Sequence, residues 1–589
     1  MVILKLSEAT IRHHALTQSF DRGQGYYRNG SVTSLMQRGN VLSASVEGSE
    51  ADPYRISIHF DKGGITSATC TCPYDDEGWC KHIVATLLTC LHQPEQIEQG
   101  SELAELLAPL NREQLQMLVQ NLTHEHPEWM DAIEQQITQL TQSRATKPKT
   151  PRRTTVDPKP IQQQVRRIID RYTEQWNDQP ALDEIREIMQ KADKFIEQGD
   201  GNNALMILGA IVHAYVQDWM NLDGSSGESG AFFEELDETL TEAILSAELS
   251  ASERYQWQRK LESWRKEVDA YGIDSFDISL AALEQGWEHP RLQRVLQGEI
   301  TELGVWEGEA PDFADELALI RLKILERQGR HQEYLYLAQA EGQTERYLQA
   351  LVKLGRTEEA LAQAQQQMST TEEALTLAQA LREQGELEQA LSIATQGLAL
   401  TGNSKYPLAV WMSELAEGMG WQSAALQARV KAFKTHPSLA DYLKVQELAG
   451  EQWKSLRQEL LTKLRGASNN LHAEAKVAIF LQEGLIDAAI TTVDQLSSYQ
   501  SDVIHPVMDA AAVHRPDWVI ENSRRRAESI MNEGKAQYYY HAVNWLRKVR
   551  VAYMQLGQLE EWKHYRTMLM QTHARKRKLV SLLQQRDLT

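Results

Sequence analysis

Leu351-Val-Lys-Leu-Gly-Arg-Thr-Glu-Glu-Ala-Leu361 and, thirty residues on, Leu381-Arg-Glu-Gln-Gly-Glu-Leu-Glu-Gln-Ala-Leu391 are two copies of one pattern. In each, a glycine closes an apolar-periodic segment. Five positions later a packing residue precedes an apolar one. The unit recurs as Gly199…Ala204-Leu205, Gly329…Tyr334-Leu335, Gly420…Ala425-Leu426, Gly450…Ser455-Leu456, Gly484…Ala489-Ile490 and, more weakly, Gly557…Trp562. From Gly329 to Gly484 the intervals are 26, 30, 35, 30 and 34 residues. That period belongs to a helix–turn–helix repeat. The glycine predicts a left-handed helix cap, and the alanine predicts close approach of the next helix. A generic Leu/Ala-rich bundle is the competing reading, but a bundle has no reason to hold a near-constant interval. An α-solenoid over 161–589 is expected.

This region resembles tetratricopeptide-like solenoids with irregular repeats; no copy carries the whole consensus, so the repeat class stays open. Within it, Gly224-Ser-Ser-Gly-Glu-Ser-Gly230 lacks a preceding strand and a Lys-Ser/Thr pair. It reads as a loop, not a phosphate cradle. Upstream, Ser143 to Pro160 (SRATKPKTPRRTTVDPKP) holds four prolines and six basic residues against one acid. Such a composition buries no core and reads as an extended linker between independently folding parts. Residues 99–142 read as a helical extension, with Leu103, Leu106, Leu107 and Leu110, then Leu115, Leu118 and Leu122, at helical spacing.

The first 98 residues have a different grammar. Ser31-Val-Thr-Ser-Leu, Val41-Leu-Ser-Ala-Ser-Val and Tyr54-Arg-Ile-Ser-Ile-His-Phe alternate apolar and polar residues, as half-buried strands do. Asp61-Lys-Gly-Gly predicts a hairpin turn into Ile65-Thr-Ser-Ala-Thr-Cys. From residue 81 the period changes: Ile83, Val84, Leu87, Leu88 and Leu91 mark one face of a helix. The fold class expected is multidomain and mainly α: a small ββα-type domain with an antiparallel sheet, then the solenoid.

Three of the four cysteines fall within eleven residues: Cys70-Thr-Cys72-Pro-Tyr-Asp-Asp-Glu-Gly-Trp-Cys80-Lys-His82. C-x-C-x7-C-x-H offers three thiolates and an imidazole, a closed tetrahedral zinc set. Cys70 and Cys72 close a strand, and Cys80 and His82 open a helix whose N-terminal partial charge favours thiolate. The competing readings are a redox pair and buried free cysteines. Catalytic zinc would need a vacant position that four protein ligands do not leave, despite Asp75, Asp76 and Glu77 in the loop. Cys90-Leu-His92 repeats the C-x-H spacing about 15 Å along the helix, too far to share the metal. It reads as a buried thiol and a surface histidine.

The motif resembles the SWIM-type zinc finger. So do its flanks, Phe20-Asp-Arg-Gly-Gln-Gly-Tyr-Tyr27, Ala68-Thr-Cys-Thr-Cys-Pro and Cys80-Lys-His-Ile-Val-Ala85. The resemblance covers about residues 1–95 and implies one structural Zn²⁺ on Cys70, Cys72, Cys80 and His82. It also implies binding of DNA or protein partners. The long helical extension resembles that of bacterial SWIM-finger proteins.

Composition narrows the remaining function. With 61 basic and 82 acidic side chains the net charge is −21, which repels phosphate backbones at long range. No apolar run is long enough for a membrane helix, and the N-terminus lacks a secretory pattern, so no membrane partner and a cytoplasmic location are expected. No P-loop, H-E-x-x-H, G-x-S-x-G or kinase signature set occurs, so neither an enzyme nor a small-molecule substrate is expected. The expectation is a zinc-binding adaptor: a finger for DNA or protein, and a helical surface for protein partners. The alternative is nucleic-acid binding through Arg144, Lys147, Lys149, Arg152, Arg153 and Lys159 of the linker and Arg575-Lys-Arg-Lys578. The bland reading of both runs is a solvated linker and a helix end.

Overall fold

Alternation in the N-terminal sequence becomes a five-stranded sheet in the computed structural model. Its strands are β1 (Val32–Arg38), β2 (Val41–Val46), β3 (Tyr54–Asp61), β4 (Gly64–Cys70) and β5 (Glu98–Gln99), in the order β4-β3-β2-β1-β5. The structure describes residues 6–126, 129–130, 133, 155–173, 177–222, 227–301, 304–306, 310–466, 472–494, 496–497, 500–585 and 588. β1 to β4 pair antiparallel in sequence. The short β5, which no alternation announces, adds a parallel pair at the edge. β3 buries Tyr54, Ile56, Ile58 and Phe60 on one face and leaves Arg55 and His59 exposed on the other. The turn into β4 is fixed by the Gly63 N–H, which donates to Asp61 Oδ1 at 2.7 Å.

Two helices, α2 (Thr17–Arg28) and α3 (Lys81–His92), belong to the same core, preceded by α1 (Glu8–His13). α2 and α3 approach so closely that a Cβ on Gly23 would sit 2.5 Å from Val84 Cγ1. This gives the Phe20–Tyr27 stretch a physical role: Phe20 is buried in the core, and Gly23 lets the two helices touch.

The rest of the described chain is helical, and many of its helices pack on a neighbour one or two helices away in sequence. Thr344–Lys353, for example, contacts both Thr357–Gln367 and Thr371–Glu383. The repeat glycines sit where expected. Gly355 has φ 74°; its N–H donates to Val352 O at 2.9 Å, and the Arg356 N–H donates to Leu351 O at 2.8 Å. That bond pair is the Schellman closure of a helix end. Ala360, Ala390, Ala425 and Ala489, five residues after their glycines, are fully buried. Among the described residues no helix is long and apolar enough to cross a membrane.

Contacts divide the chain into two compact units, Met1–Asn111 with Leu387–Thr589, and Arg112–Glu386. In the second unit, residues 143–154 of the linker lie outside the described residues. Its last part is ordered differently from expectation. Asp157 caps a helix, Pro158–Tyr172, by accepting from the Lys159 N–H at 3.1 Å. The Val156 N–H donates to Asn203 Oδ1 at 2.8 Å. Asp followed by Pro is a helix-start signal, which the proline-rich composition of the stretch conceals. Of the extension, Leu103–Leu107 and Arg112–Glu125 are helical, and neither buries a residue fully.

In the first unit the finger is not an isolated body, as a separating linker would imply. It rests on the Lys405–Gly418 and Leu439–Ala449 helices. Gly63 and Gly418 meet backbone to backbone: a Cβ on Gly418 would lie 2.2 Å from the Gly63 carbonyl carbon. The Lys444 ammonium, buried, bonds Ser7 Oγ of the α1 cap at 2.9 Å and Glu417 at 2.7 Å. Arg429 and Asp441, both wholly buried, pair at 2.9 Å. Asp441 also accepts from Tyr406 at 2.9 Å and from Ser438 at 2.6 Å, and lies 3.8 Å from His13 Nδ1.

A buried pair is costly to break, because the surviving charge is left without a partner. Asp441→Ala should therefore destabilise the first unit by about 3–5 kcal/mol, read as a lower midpoint in helical circular dichroism. Joint replacement by Arg429→Met and Asp441→Leu should restore much of that loss; no recovery would show that the charges themselves are needed.

Candidate metal centre

The metal donors come from two element ends that the sheet and α3 bring together. Cys70 is the last residue of β4, and Cys72 lies two residues beyond it. Pairing runs past the strand, with the Thr71 N–H donating to Arg55 O at 3.1 Å. Cys80 is the N-cap of α3, and His82 is its second residue. One ligand atom from each of Cys70, Cys72, Cys80 and His82 lies within 4.8 Å of the others. Cys80 and His82 are buried, while Cys70 and Cys72 are half-buried.

His82 is held by aromatic neighbours. Tyr54 stacks on its ring at 4.3 Å and Tyr26 meets it edge-on at 5.3 Å. Its Nδ1 lies 3.7 Å from Cys70 Sγ, and its buried Nε2 has no hydrogen-bond partner. The ring is thus turned toward the sulfurs of Cys70 and Cys80. A cation held by the three sulfurs would take Nδ1 as its fourth ligand and leave the ring proton on Nε2. The donor chemistry agrees, three sulfurs and one nitrogen making a closed zinc set. Cys70, Cys72, Cys80 and His82 are positioned to bind one zinc ion.

The thiols compete for ionisation. Cys80 is drawn down to about 4, first by the hydrogen bond it takes from Cys70 and also by the N–H groups of His82 and Ile83 at the helix start. Cys70 is pushed far above the usual thiol range by that bond to Cys80, and Cys72 is raised by burial. A divalent cation replaces the protons that this crowding retains, so binding is coupled to proton release. Asp75, Asp76 and Glu77 are exposed on the loop. The donor set leaves them no metal-bound water to activate.

The loop itself is braced from behind. The Trp79 N–H donates to His14 O at 2.7 Å, and the rings of Trp79 and His14 stack at 4.6 Å. Gly78, at φ 87°, lies so near that a Cβ would come within 2.6 Å of His14 O. His14 Nε2 lies 2.9 Å from Glu414 Oε1. Burial lowers His14, but the Glu414 charge and hydrogen bond outweigh it and hold the imidazole above its ordinary value. Burial raises Glu414, but His14 and Arg429 hold it down to about 2.

The remaining sequence candidates separate from this centre. Cys90 is buried, its thiol pushed up to about 12 by burial, and His92 is exposed. Neither joins the metal group. Lys159 is exposed in the first turn of Pro158–Tyr172, whereas Arg144, Lys147, Lys149, Arg152 and Arg153 lie outside the described residues. Arg575, Arg577 and Lys578 are exposed, and Lys576 donates to Met531 O. Sequence reasoning missed Tyr54, Tyr26 and His14 as supports. Tyr26 sits in a stretch singled out for other reasons, and His14 carries no pattern at all.

Comparison with known proteins agrees with this geometry. Residues 54–91 match the SWIM zinc finger family model. The Zinc finger SWIM domain-containing protein 8 homolog of Drosophila melanogaster is 36% identical over 110 residues, 18% of this chain and 5% of that protein. Zinc finger SWIM domain-containing protein 8 of Homo sapiens is 34% identical over 113 residues, 18% and 6% of the two chains. The Bos taurus protein gives 34% over 113 residues, 18% and 8%. The matched stretch thus spans less than a tenth of each relative.

Elemental analysis should return one zinc per chain, lost in Cys72→Ser and in His82→Ala; full zinc content in both variants would contradict the ligand set. The His14–Glu414 contact should depend on pH. A raised histidine stabilises fully below its ordinary value of 6.5, and that stabilisation fades as pH rises through the raised value. A lowered glutamate stabilises fully above its ordinary value of 4.5, and that is lost as pH falls through about 2. The pair is whole between about pH 4.5 and 6.5. Amide exchange in α1 should therefore quicken as pH rises above this window, after correction for intrinsic exchange. His14→Gln should abolish the excess.

Proposed function

We propose that this chain is a non-enzymatic adaptor. Its zinc centre shapes a recognition surface, and its helices present tetratricopeptide-like surfaces to protein partners. The observation that supports this reading is the closed donor set. With four protein ligands converging and the loop carboxylates turned outward, the centre offers structure and no position for a substrate. Function then falls to surfaces. The sheet face that carries Arg55 and His59, with Ser43 and Thr69 in neighbouring strands, is exposed and polar, suited to contact DNA or protein. Among the repeats, Val551 and Met554 are large apolar side chains about half exposed on the Tyr539–Gln555 helix, a fit for a protein partner. A cytoplasmic setting suits both.

Nucleic-acid binding through basic segments is the second reading, and one observation favours it. Residues 515–589 carry fifteen Lys and Arg against seven Asp and Glu, in a chain whose total is −21. The finger is mildly acidic, with eight basic against eleven acidic side chains over 1–100. Phosphate contact would therefore depend on Arg575–Lys578 and on the linker residues Arg144, Lys147, Lys149, Arg152, Arg153 and Lys159, more than on the finger.

Two full-length surface variants test the adaptor reading: Arg55→Glu with His59→Glu, and Val551→Glu with Met554→Glu. Each should lose a distinct set of partners in affinity capture while keeping its zinc. Undiminished capture by both would sink the proposal. In a salt-titrated DNA-binding assay, neutralising the linker cations and Arg575–Lys578 should flatten the salt dependence by about one unit of slope per lost phosphate contact. An unchanged slope would remove the second reading.

A further inference from the structure

We infer that zinc binding in the finger controls the packing of the 405–449 helices, through a relay that begins at Trp79 and ends at Asp441. The inference rests on the zinc site and not on the adaptor reading. The loop Pro73–Trp79 is pinned at both ends by metal ligands, Cys72 and Cys80. Trp79 is the residue just before Cys80, so the metal fixes where its ring and N–H point. Both point at His14: the N–H to its carbonyl at 2.7 Å, the indole to its imidazole at 4.6 Å and 26° between planes.

His14 passes the constraint on. Its Nε2 and Arg429 Nη2 share one oxygen, Glu414 Oε1, at 2.9 and 3.4 Å. Arg429 in turn holds Asp441, which His13, Ser438 and Tyr406 surround. Glu414 lies in Lys405–Gly418, Arg429 in Gln422–Thr435 and Asp441 in Leu439–Ala449. Three consecutive helices thus meet one charge network whose outer member leans on the zinc loop. Releasing the metal frees the loop ends. Trp79 then no longer shields the His14–Glu414 contact from water, and a charge contact weakens as the local dielectric rises. Arg429 is left sharing a solvated carboxylate, and the three helices lose their common tie.

Coupling of this kind is reciprocal, so the helices must also influence the metal. Two measurements on the full-length protein test it. The first is amide exchange with zinc bound and after removal by a strong chelator. Exchange should rise about tenfold or more in α1 and in 405–449, with little change in Arg112–Glu386. Unchanged exchange in 405–449 while 70–82 opens overturns the proposal, as does a uniform rise across the whole chain. His14→Ala, with zinc content verified, should make 405–449 indifferent to the chelator; a response equal to that of the unaltered protein overturns the His14 route. The second is zinc affinity of Glu414→Gln by chelator competition. Glu414 does not contact a ligand, so a loss of about threefold or more in affinity reports the relay itself. Equal affinity overturns it. Should Glu414→Gln lose its helical circular dichroism, the exchange experiment on the unaltered protein decides alone.

Discussion

The finger depends on one requirement: a strand end and a helix start must bring four soft donors within 4.8 Å. Three thiols will not gather there unassisted, because each resists ionising beside the others, and the shifts of Cys70 and Cys80 in opposite directions express that conflict. The fold resolves it with geometry that serves little else. β4 ends at Cys70, α3 begins on Cys80, and Gly23 lets α2 press against α3 so that Tyr26 reaches His82. Tyr54 closes the other side from within the buried face of β3. A metal site of this kind supplies folding free energy that a core of under a hundred residues lacks in surplus.

The contact between finger and helices follows a different logic. It is not an apolar seam. Wholly buried Arg429 and Asp441, buried Lys444, and His13 and His14 at the end of α1 make it a place where every charge has to find its partner. Such networks add little net stability over well-packed apolar residues, yet they punish misregistered docking severely, since one displaced partner leaves a buried ion alone. The glycine-on-glycine contact at Gly63 and Gly418 adds a steric version of the same strictness.

What the sequence disclosed follows from this division. The C-x-C-x7-C-x-H spacing is local, and its chemistry is specific, so the ligand set was legible. The repeat glycines were legible because a left-handed cap leaves a mark at each turn, as Gly355 shows. β5 was not, because two residues cannot display alternation. The helix start at Pro158 was hidden because the proline that opens a helix also signals a linker. The docking network was the least legible of all. His14 and Glu414 are 400 residues apart, carry no period, and look in the sequence like ordinary surface charges.

Because its supporting helices lie so late in the chain, the finger emerges from the ribosome more than three hundred residues before Asp441 exists. At about 5–20 residues per second, that is a wait of roughly 15–70 seconds. Throughout it the face destined for contact stays open to solvent. An apolar face would be an aggregation hazard over such an interval. Ser7, His13, His14 and the Gly63 turn make that face polar and wettable. The polar and ionic character of the junction, costly in the finished protein, thus leaves the early module without an apolar docking face during that wait.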